Sequence, residues 1–121
     1  MGNTKKRMPT NFISKGWGYE SWLVNKTEYC GKILFFKKGK KCSWHYHKIK
    51  DEVFYLLSGK VLVRYGDGHV SHSKEEILEP GDCFDVAPGL RHQIEALQDS
   101  TLLEVSTTHS EEDSIRVMKG D

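Results

Sequence analysis

The chain is divided into short apolar runs, each bounded by glycine, asparagine, aspartate, serine or proline. No stretch shows the sustained i, i+3, i+4 spacing of apolar side chains that an amphipathic helix requires. Short runs between turn residues are typical of a β sandwich or barrel, so the sequence predicts an all-β fold. Strands are predicted at 19–24, 30–37, 42–47, 52–57, 61–65, 76–78, 83–87, 92–96 and 101–107, with one helical turn at 110–114.

Two glycine-containing turns predict how some of these strands connect. Ser58-Gly59 lies between two apolar runs, and so does the segment Gly66-Asp67-Gly68. Such turns typically join the two antiparallel strands of a tight hairpin. We therefore expect a hairpin at each place.

Size and charge limit the kind of protein this chain can be. Its 121 residues suffice for one domain with a single core. Residues 1–14 are polar and basic without periodicity and are predicted to form a flexible arm, followed by a barrel domain at 15–121. Lysine plus arginine (18) and aspartate plus glutamate (17) leave a formal net charge of +1. That balance gives no electrostatic reason to expect nucleic acid or an anionic membrane as a partner.

The cysteines indicate a protein of a reducing compartment. Cys30, Cys42 and Cys83 are an odd number at wide spacings without a CxxC pair, so neither a disulfide framework nor a thiolate zinc site is indicated. All three lie in predicted strands and are expected to be small buried side chains. No signal peptide follows the basic start, and no run reaches the roughly 20 apolar residues of a membrane span. We therefore expect a cytoplasmic protein with no membrane partner.

The residues best suited to chemistry lie around an alternating histidine pair. Side chains alternate across a strand, so His45 and His47 point to the same face and can approach one cation. Glu52 opens the next predicted strand, and a proline–glycine turn could bring His92 from a distant part of the chain. Three imidazoles and one carboxylate suit a divalent transition metal (Mn, Fe, Zn, Co or Ni), with positions left open for a substrate. An exposed polar strand face would explain the histidine pair alone, but less well the four residues together.

Other histidines and aromatic residues favour structural roles. His69, His72 and His109 flank turn or polar residues and are expected to be solvent-exposed. Trp44 and Tyr46 alternate with the two clustered histidines and therefore face away from the candidate site, towards the core or a subunit interface.

The same residues carry a resemblance to a known family. The first cupin motif is matched by Gly39, His45, His47, Glu52 and Gly59. The second is matched by Gly81, Pro88, Gly89 and His92, with six residues instead of five between Gly81 and Pro88 and with Ala96 where the family often has asparagine.

The resemblance to cupins extends over roughly residues 30–107. It implies a double-stranded β-helix (jelly-roll) barrel and frequent dimerisation, so a homodimer is expected. It also implies a metal inside the barrel mouth, held by His45, His47, Glu52 and His92.

Segments outside these motifs are similar to the cupin domain of type II mannose-6-phosphate isomerases. They are GWGYE at 16–20, GKI at 31–33 and EEDSIRV at 111–117. This similarity implies a small polar substrate, a sugar or sugar phosphate, and an aldose–ketose isomerase reaction.

An isomerase of this kind needs a base that moves a proton between adjacent carbons. Glu104 is predicted to be that base, because it is the acidic residue in the otherwise apolar run LLEV at 102–105. Lys32 is predicted to hold a hydroxyl or phosphate group of the substrate. A metal-dependent dioxygenase and a non-catalytic sugar-binding protein are the alternatives, since one fold serves many chemistries.

Overall fold

A computed structural model describes residues 5–121 and shows an all-β chain in this range. The two short helical segments are 3-10 turns at Val70–His72 and Glu111–Asp113. None of the described residues form a helix long and apolar enough to cross a membrane. The strands in chain order are β1 (Asn11–Lys15), β2 (Gly18–Asn25), β3 (Cys30–Phe36), β4 (Trp44–His47), β5 (Glu52–Ser58), β6 (Val61–Gly66), β7 (Lys74–Leu78), β8 (Cys83–Val86), β9 (Arg91–Ala96), β10 (Ser100–Ser106) and β11 (Ser114–Met118).

The strands form two antiparallel sheets that enclose one core. The first sheet has the order β1-β2-β3-β10-β5-β8, and the second has the order β11-β4-β9-β6-β7. Because β3, β4, β5 and β6 alternate between the two sheets, the chain winds around both of them. This is the jelly-roll barrel that the sequence predicts.

Inward-facing side chains change from apolar to polar along the strands. On β3 the buried positions are Phe36, Leu34, Lys32 and Cys30, and on β10 they include Leu102 and Glu104. The alternation follows from the two-residue period of a strand. One end of the space between the sheets is therefore filled by an apolar core, and polar side chains line the other end. The apolar core includes Trp17, Leu34, Phe36, Phe54, Leu56, Val61, Val63, Ile94 and Leu102.

All nine predicted strands are present, with ends that differ by a few residues, and the predicted helical turn is the 3-10 turn Glu111–Asp113. The strands β1 and β11 are not predicted by the sequence. β1 lies largely within the segment 1–14 that is predicted to be a flexible arm, and its residues pair with β2 in antiparallel register. Residues 1–4 of that arm lie outside the described part of the chain.

The prediction of a tight hairpin at Ser58-Gly59 is wrong. β5 and β6 lie in different sheets, so this turn is a corner between them. Gly59 has a φ of +93°, and a Cβ added there would lie 2.3 Å from the carbonyl oxygen of Asp99. Glycine is therefore required by both the backbone conformation and the close approach of a neighbouring strand. Gly66, at the end of β6, and Gly68 do lead into the antiparallel neighbour β7, but through a longer connection that contains the 3-10 turn Val70–His72.

Candidate metal centre

Three histidine side chains meet inside the barrel. His45 and His47 lie on β4 and His92 lies on β9, and one nitrogen of each ring lies within 4.8 Å of the others. β4 and β9 are antiparallel neighbours, with His45 directly opposite His92. The structure thus brings together the three histidines that the sequence selects.

Glu52 faces this cluster from the first sheet. Its Oε2 lies 3.4 Å from Nε2 of His47 and 3.4 Å from Nε2 of His92. Both Glu52 Oε2 and His92 Nε2 are buried without a hydrogen-bond partner. A buried polar atom without a partner is costly, so such atoms usually mark an ion or water. A divalent cation bound by the three imidazoles and the Glu52 carboxylate would give both of these atoms a partner. The four side chains therefore fit a metal.

Backbone carbonyl groups fix the orientation of two of the rings. His45 Nδ1 lies 2.9 Å from the carbonyl oxygen of Ser43, and His92 Nδ1 lies 3.0 Å from that of Leu90. A neutral imidazole that donates a hydrogen bond through Nδ1 keeps a lone pair on Nε2. These contacts therefore leave Nε2 of both rings as the atom available to a cation.

Burial keeps two of the histidines in the neutral form that metals bind. It lowers the pKa of His45 to about 3, and the neighbouring His92 adds to this effect. Burial also lowers the pKa of His47 to about 4, although the charge of Glu52 opposes the shift. Metal ligands must be deprotonated, so these two rings can bind a cation near neutral pH without first losing a proton.

Glu104 lies in the same cavity, within a charged network that the sequence does not indicate. Lys50 Nζ is 2.7 Å from Glu104 Oε2 and 3.6 Å from Glu52 Oε1, and all three side chains are buried. The Ser106 hydroxyl donates to the same Glu104 oxygen at 3.0 Å. Burial alone would lower the pKa of Lys50, but the charges of Glu104 and Glu52 more than offset it and raise the pKa. Lys50 therefore stays charged and links the candidate base to a candidate metal ligand.

Lys32, the predicted substrate-binding residue, also faces the cavity and is 2% exposed. Its Nζ lies 3.5 Å from Glu20 Oε1 and 4.1 Å from the centroid of the Trp22 ring. Trp22 Nε1 donates to the same Glu20 oxygen at 2.9 Å. The ammonium group of Lys32 is therefore paired with a carboxylate and an aromatic face.

The prediction that His109 is solvent-exposed is wrong, because its side chain is only 8% exposed and lines the cavity. Its Nδ1 lies 3.0 Å from Lys50 Nζ, and its Nε2 lies 3.0 Å from Glu111 Oε1. Asn25 fixes the backbone at this position by accepting from His109 N and donating to its carbonyl oxygen. No local pattern reveals this contact, since Asn25 and His109 are 84 positions apart. The sequence is right about His69 and His72, which are exposed.

The cysteines follow the prediction in two of three cases. Cys30 and Cys42 are buried, and burial raises the pKa of the Cys42 thiol to about 12. A thiol with such a pKa is unreactive as a nucleophile. Cys83 is exposed instead of buried, because it lies on the outward side of the edge strand β8.

The turn between His47 and Glu52 is held by a carboxylate from the C-terminal part of the chain. The backbone N–H groups of Lys48, Ile49 and Lys50 donate to Asp113 at 2.9, 3.0 and 2.9 Å, respectively. These contacts join the turn between the candidate ligands His47 and Glu52 to the 3-10 turn before β11. Asp113 is therefore a support of the site that does not touch the cluster itself.

The cavity that contains these groups has a volume of about 340 Å³, which is the size of a site for a small molecule. The histidine cluster lies at its wall, and β11 with the residues after it forms part of the entrance. Two antiparallel sheets that enclose histidines and a carboxylate around such a cavity place the chain among jelly-roll proteins, with a candidate metal site inside the barrel.

Comparison with known proteins agrees with this class. The cupin domain family matches residues 33–108, and the chain belongs to this family. No curated protein gives a significant match to the whole sequence.

Solved structures share the fold at low sequence identity. Oxalate decarboxylase from Bacillus subtilis is 22% identical with a TM-score of 0.78, over 95% of this chain and 33% of that protein. The chain thus spans about a third of that relative, which contains Mn(II) centres. The capsular polysaccharide assembling protein CapF from Staphylococcus aureus is 17% identical with a TM-score of 0.78, over 97% and 33% of the two chains. KdgF from Halomonas sp. is 17% identical with a TM-score of 0.72, over 84% and 91%.

Proposed function

We propose that this chain is a metal-dependent aldose–ketose isomerase that acts on a sugar or a sugar phosphate. In this proposal His45, His47, Glu52 and His92 hold a divalent transition metal. The observation that carries the proposal is the buried carboxylate of Glu104, which lies in the same cavity as the histidine cluster. A cation site alone would suit many reactions, whereas a carboxylate base beside it suits the transfer of a proton between adjacent carbons.

The proposed reaction moves one carbon-bound proton and one hydroxyl proton. Glu104 accepts the proton from C2 of the open-chain aldose and returns it to C1, while the hydroxyl proton at C2 passes to the oxygen at C1. The bound cation would hold the two neighbouring oxygens and stabilise the negative charge that develops between the two proton transfers. Lys50 and Ser106 both contact Oε2 of Glu104, so the other oxygen is left to face the substrate.

Glu104→Gln tests the assignment of the base, because glutamine keeps the shape of the side chain but cannot accept the proton. Wild type and variant are loaded with manganese, iron or zinc and incubated with aldoses and their phosphates, and isomers are followed by proton NMR. We expect turnover to fall by at least about 100-fold, the lower range for a general base, with metal content unchanged. Glu28→Gln, at an exposed turn, serves as the control. Unchanged turnover in Glu104→Gln would show that Glu104 is not the base.

The two alternative functions give different results in the same samples. A dioxygenase would consume oxygen when the iron-loaded protein meets a diol substrate, without forming a sugar isomer. A non-catalytic sugar-binding protein would lose thermal stability on metal removal but would convert no sugar with any metal.

A homodimer is part of the proposal and is supported by the outer face of the first sheet. Leu57 on β5 and Val105 on β10 are 46% and 54% exposed, and Ile33, Phe35 and Leu103 lie on the same outward face. Monomeric proteins rarely expose a contiguous apolar patch of this kind. Light scattering after size-exclusion chromatography should give twice the monomer mass, and Val105→Glu should give the monomer mass with the metal retained. A monomeric wild-type protein would contradict the proposed dimer but not the proposed isomerase activity.

A further inference from the structure

We propose that the cavity takes an uncharged polyhydroxy ligand and discriminates against its phosphorylated form. This inference rests on the proposed function, because it narrows a sugar or sugar phosphate to the unphosphorylated sugar. It depends on the pairing of charges at the polar end of the cavity and on the apolar side chains at its other end.

Each lysine in the deep part of the cavity already has an anionic partner. Lys32 contacts Glu20, and Lys50 contacts both Glu104 and Glu52. Both lysines are 2% exposed, so their charges are held in these pairs and not in water. A phosphate group needs unpaired donors of positive charge, and neither ammonium group can serve one without giving up its carboxylate partner.

The carboxylates make the polar end of the cavity unfavourable for an anion. Glu20, Glu52 and Glu104 lie there with Lys32, Lys50 and the partly exposed Lys15, which also contacts Glu20, so their charges balance. The charge of a divalent cation at the histidine cluster would be located at the metal. Away from the metal, a phosphate dianion would approach the carboxylates of Glu20 and Glu104 in a medium where like charges repel strongly.

The cationic groups at the rim do not change this balance. Arg116 and Lys119 line the entrance but are exposed to solvent, and Glu111 and Asp121 line the same entrance. Charges in solvent are screened at physiological ionic strength and discriminate weakly between ligands. Lys15, the remaining cation of the lining, lies 3.8 Å from Glu20. The cavity as a whole has five cationic side chains and five carboxylates along its lining.

The apolar end of the cavity suits the carbon–hydrogen surface of a sugar. Trp17 and Phe36 are stacked with ring centroids 4.0 Å apart, and Leu34 and Ile94 complete this apolar surface. Hydroxyl groups of the ligand would meet the ion pairs Lys32–Glu20 and Lys50–Glu104 at the polar end, and these pairs can donate and accept hydrogen bonds without a change in net charge. An uncharged polyol suits both ends, since it offers apolar and hydroxyl surfaces without charge.

The inference is tested with mannitol and mannitol 1-phosphate, which have no carbonyl group and therefore cannot be isomerised. Their dissociation constants are measured on the zinc-loaded protein by calorimetry and by ligand-observed NMR. We expect mannitol to bind about tenfold or more tightly than its phosphate, and Glu20→Gln to reduce this preference by strengthening only phosphate-ester binding. Glu28→Gln is the matched control, since it removes one exposed carboxylate far from the described contacts of Lys32 and should leave the preference unchanged.

Equal or tighter binding of mannitol 1-phosphate to the wild type would overturn the inference, and so would the absence of mannitol binding. If Glu20→Gln does not fold, the wild-type comparison alone decides the matter. The result is separable from the proposed reaction, because binding is measured without turnover. A protein that isomerises a sugar phosphate and prefers mannitol 1-phosphate would contradict only the inference, while one that prefers mannitol but isomerises no sugar would contradict only the proposed reaction.

Discussion

Lys50 Nζ lies 2.7 Å from Glu104 Oε2, and both side chains are buried next to the histidine cluster. An isolated charge in this position would be costly, because it would have lost its water without gaining a partner. The pair gives each of these two buried groups a charged partner. The contact of Lys50 with Glu52 joins the pair to the carboxylate that faces the histidines.

Lys50→Met should reduce the free energy of unfolding by about 3–5 kcal/mol, the range for breaking a buried ion pair by removal of one partner. The combined change with Glu104→Gln should be less destabilising than Lys50→Met alone, because no unpaired charge is then left on Glu104. Urea unfolding measures both. Lys60→Met is the control: Lys60 contacts Glu79 at 3.7 Å on the surface, with 37% and 61% of these side chains exposed, and should cost about 1 kcal/mol or less. Similar losses at positions 50 and 60 would contradict the buried pair.

His92→Ala should remove most of the bound metal, because His92 supplies a buried nitrogen that faces both His45 and Glu52. His45→Ala should do the same. We expect affinity for zinc to fall by at least about 100-fold, more than the loss of a supporting contact causes. Elemental analysis and competition with a zinc chelator provide the measurements. His72→Ala is the control, since His72 is exposed on the 3-10 turn after β6, and wild-type occupancy in His92→Ala would refute the shared site.

Burial explains which parts of the fold can be predicted from the sequence. The strand β3 contains the continuous apolar run ILFF at 33–36, and such a run next to turn residues is visible in the sequence. The strands β1 and β11 have no buried residue. They are held to β2 and β4 by backbone hydrogen bonds, which leave no apolar pattern. The sequence therefore predicts the strands that contribute to the core and also β2, whose apolar run WLV at 22–24 is visible although its side chains are only half-buried, and it misses two strands without such a run.

The same distinction applies to the site. His45 and His47 share a face because of strand alternation, so their approach is predictable from two positions in the sequence. Lys50 and His109 are 59 positions apart, and their contact depends on how β10 and the segment after it return to the β4–β5 turn. The lysine lies in the segment KIKDE at 48–52, whose mixed charges do not indicate that any one of them is buried. Only the closed barrel shows that its ammonium group is buried.

Gly59→Ala should destabilise the protein more than Gly81→Ala, although both glycines have a positive φ, of +93° and +98° respectively. A Cβ at position 59 would lie 2.3 Å from the Asp99 carbonyl oxygen, whereas one at position 81 meets no atom within 4 Å. The backbone strain is thus similar, and the difference measures the close contact at the corner between the sheets. We expect it to be about 1–3 kcal/mol by urea unfolding, the range for overpacking. Equal losses would mean that the corner can relax around a methyl group.

Asp113→Asn should weaken metal binding by about tenfold or more, as the loss of a supporting contact does, because Asp113 holds the backbone of the turn between His47 and Glu52. Asp113→Asn should also alter the acid dependence of stability.

Burial opposes the charged form of Asp113, but the three backbone N–H groups more than compensate and lower its pKa. A carboxyl with a lowered pKa stabilises the fold above its ordinary value of about 3.9, and this contribution is lost as the pH falls through the lower value. Unfolding free energies measured from pH 7 to pH 2 without metal should therefore show wild type and Asp113→Asn converging in acid. Asp67→Asn, at an exposed turn, is the control, and a constant difference between wild type and Asp113→Asn across this range would show that the carboxylate charge does not hold the turn.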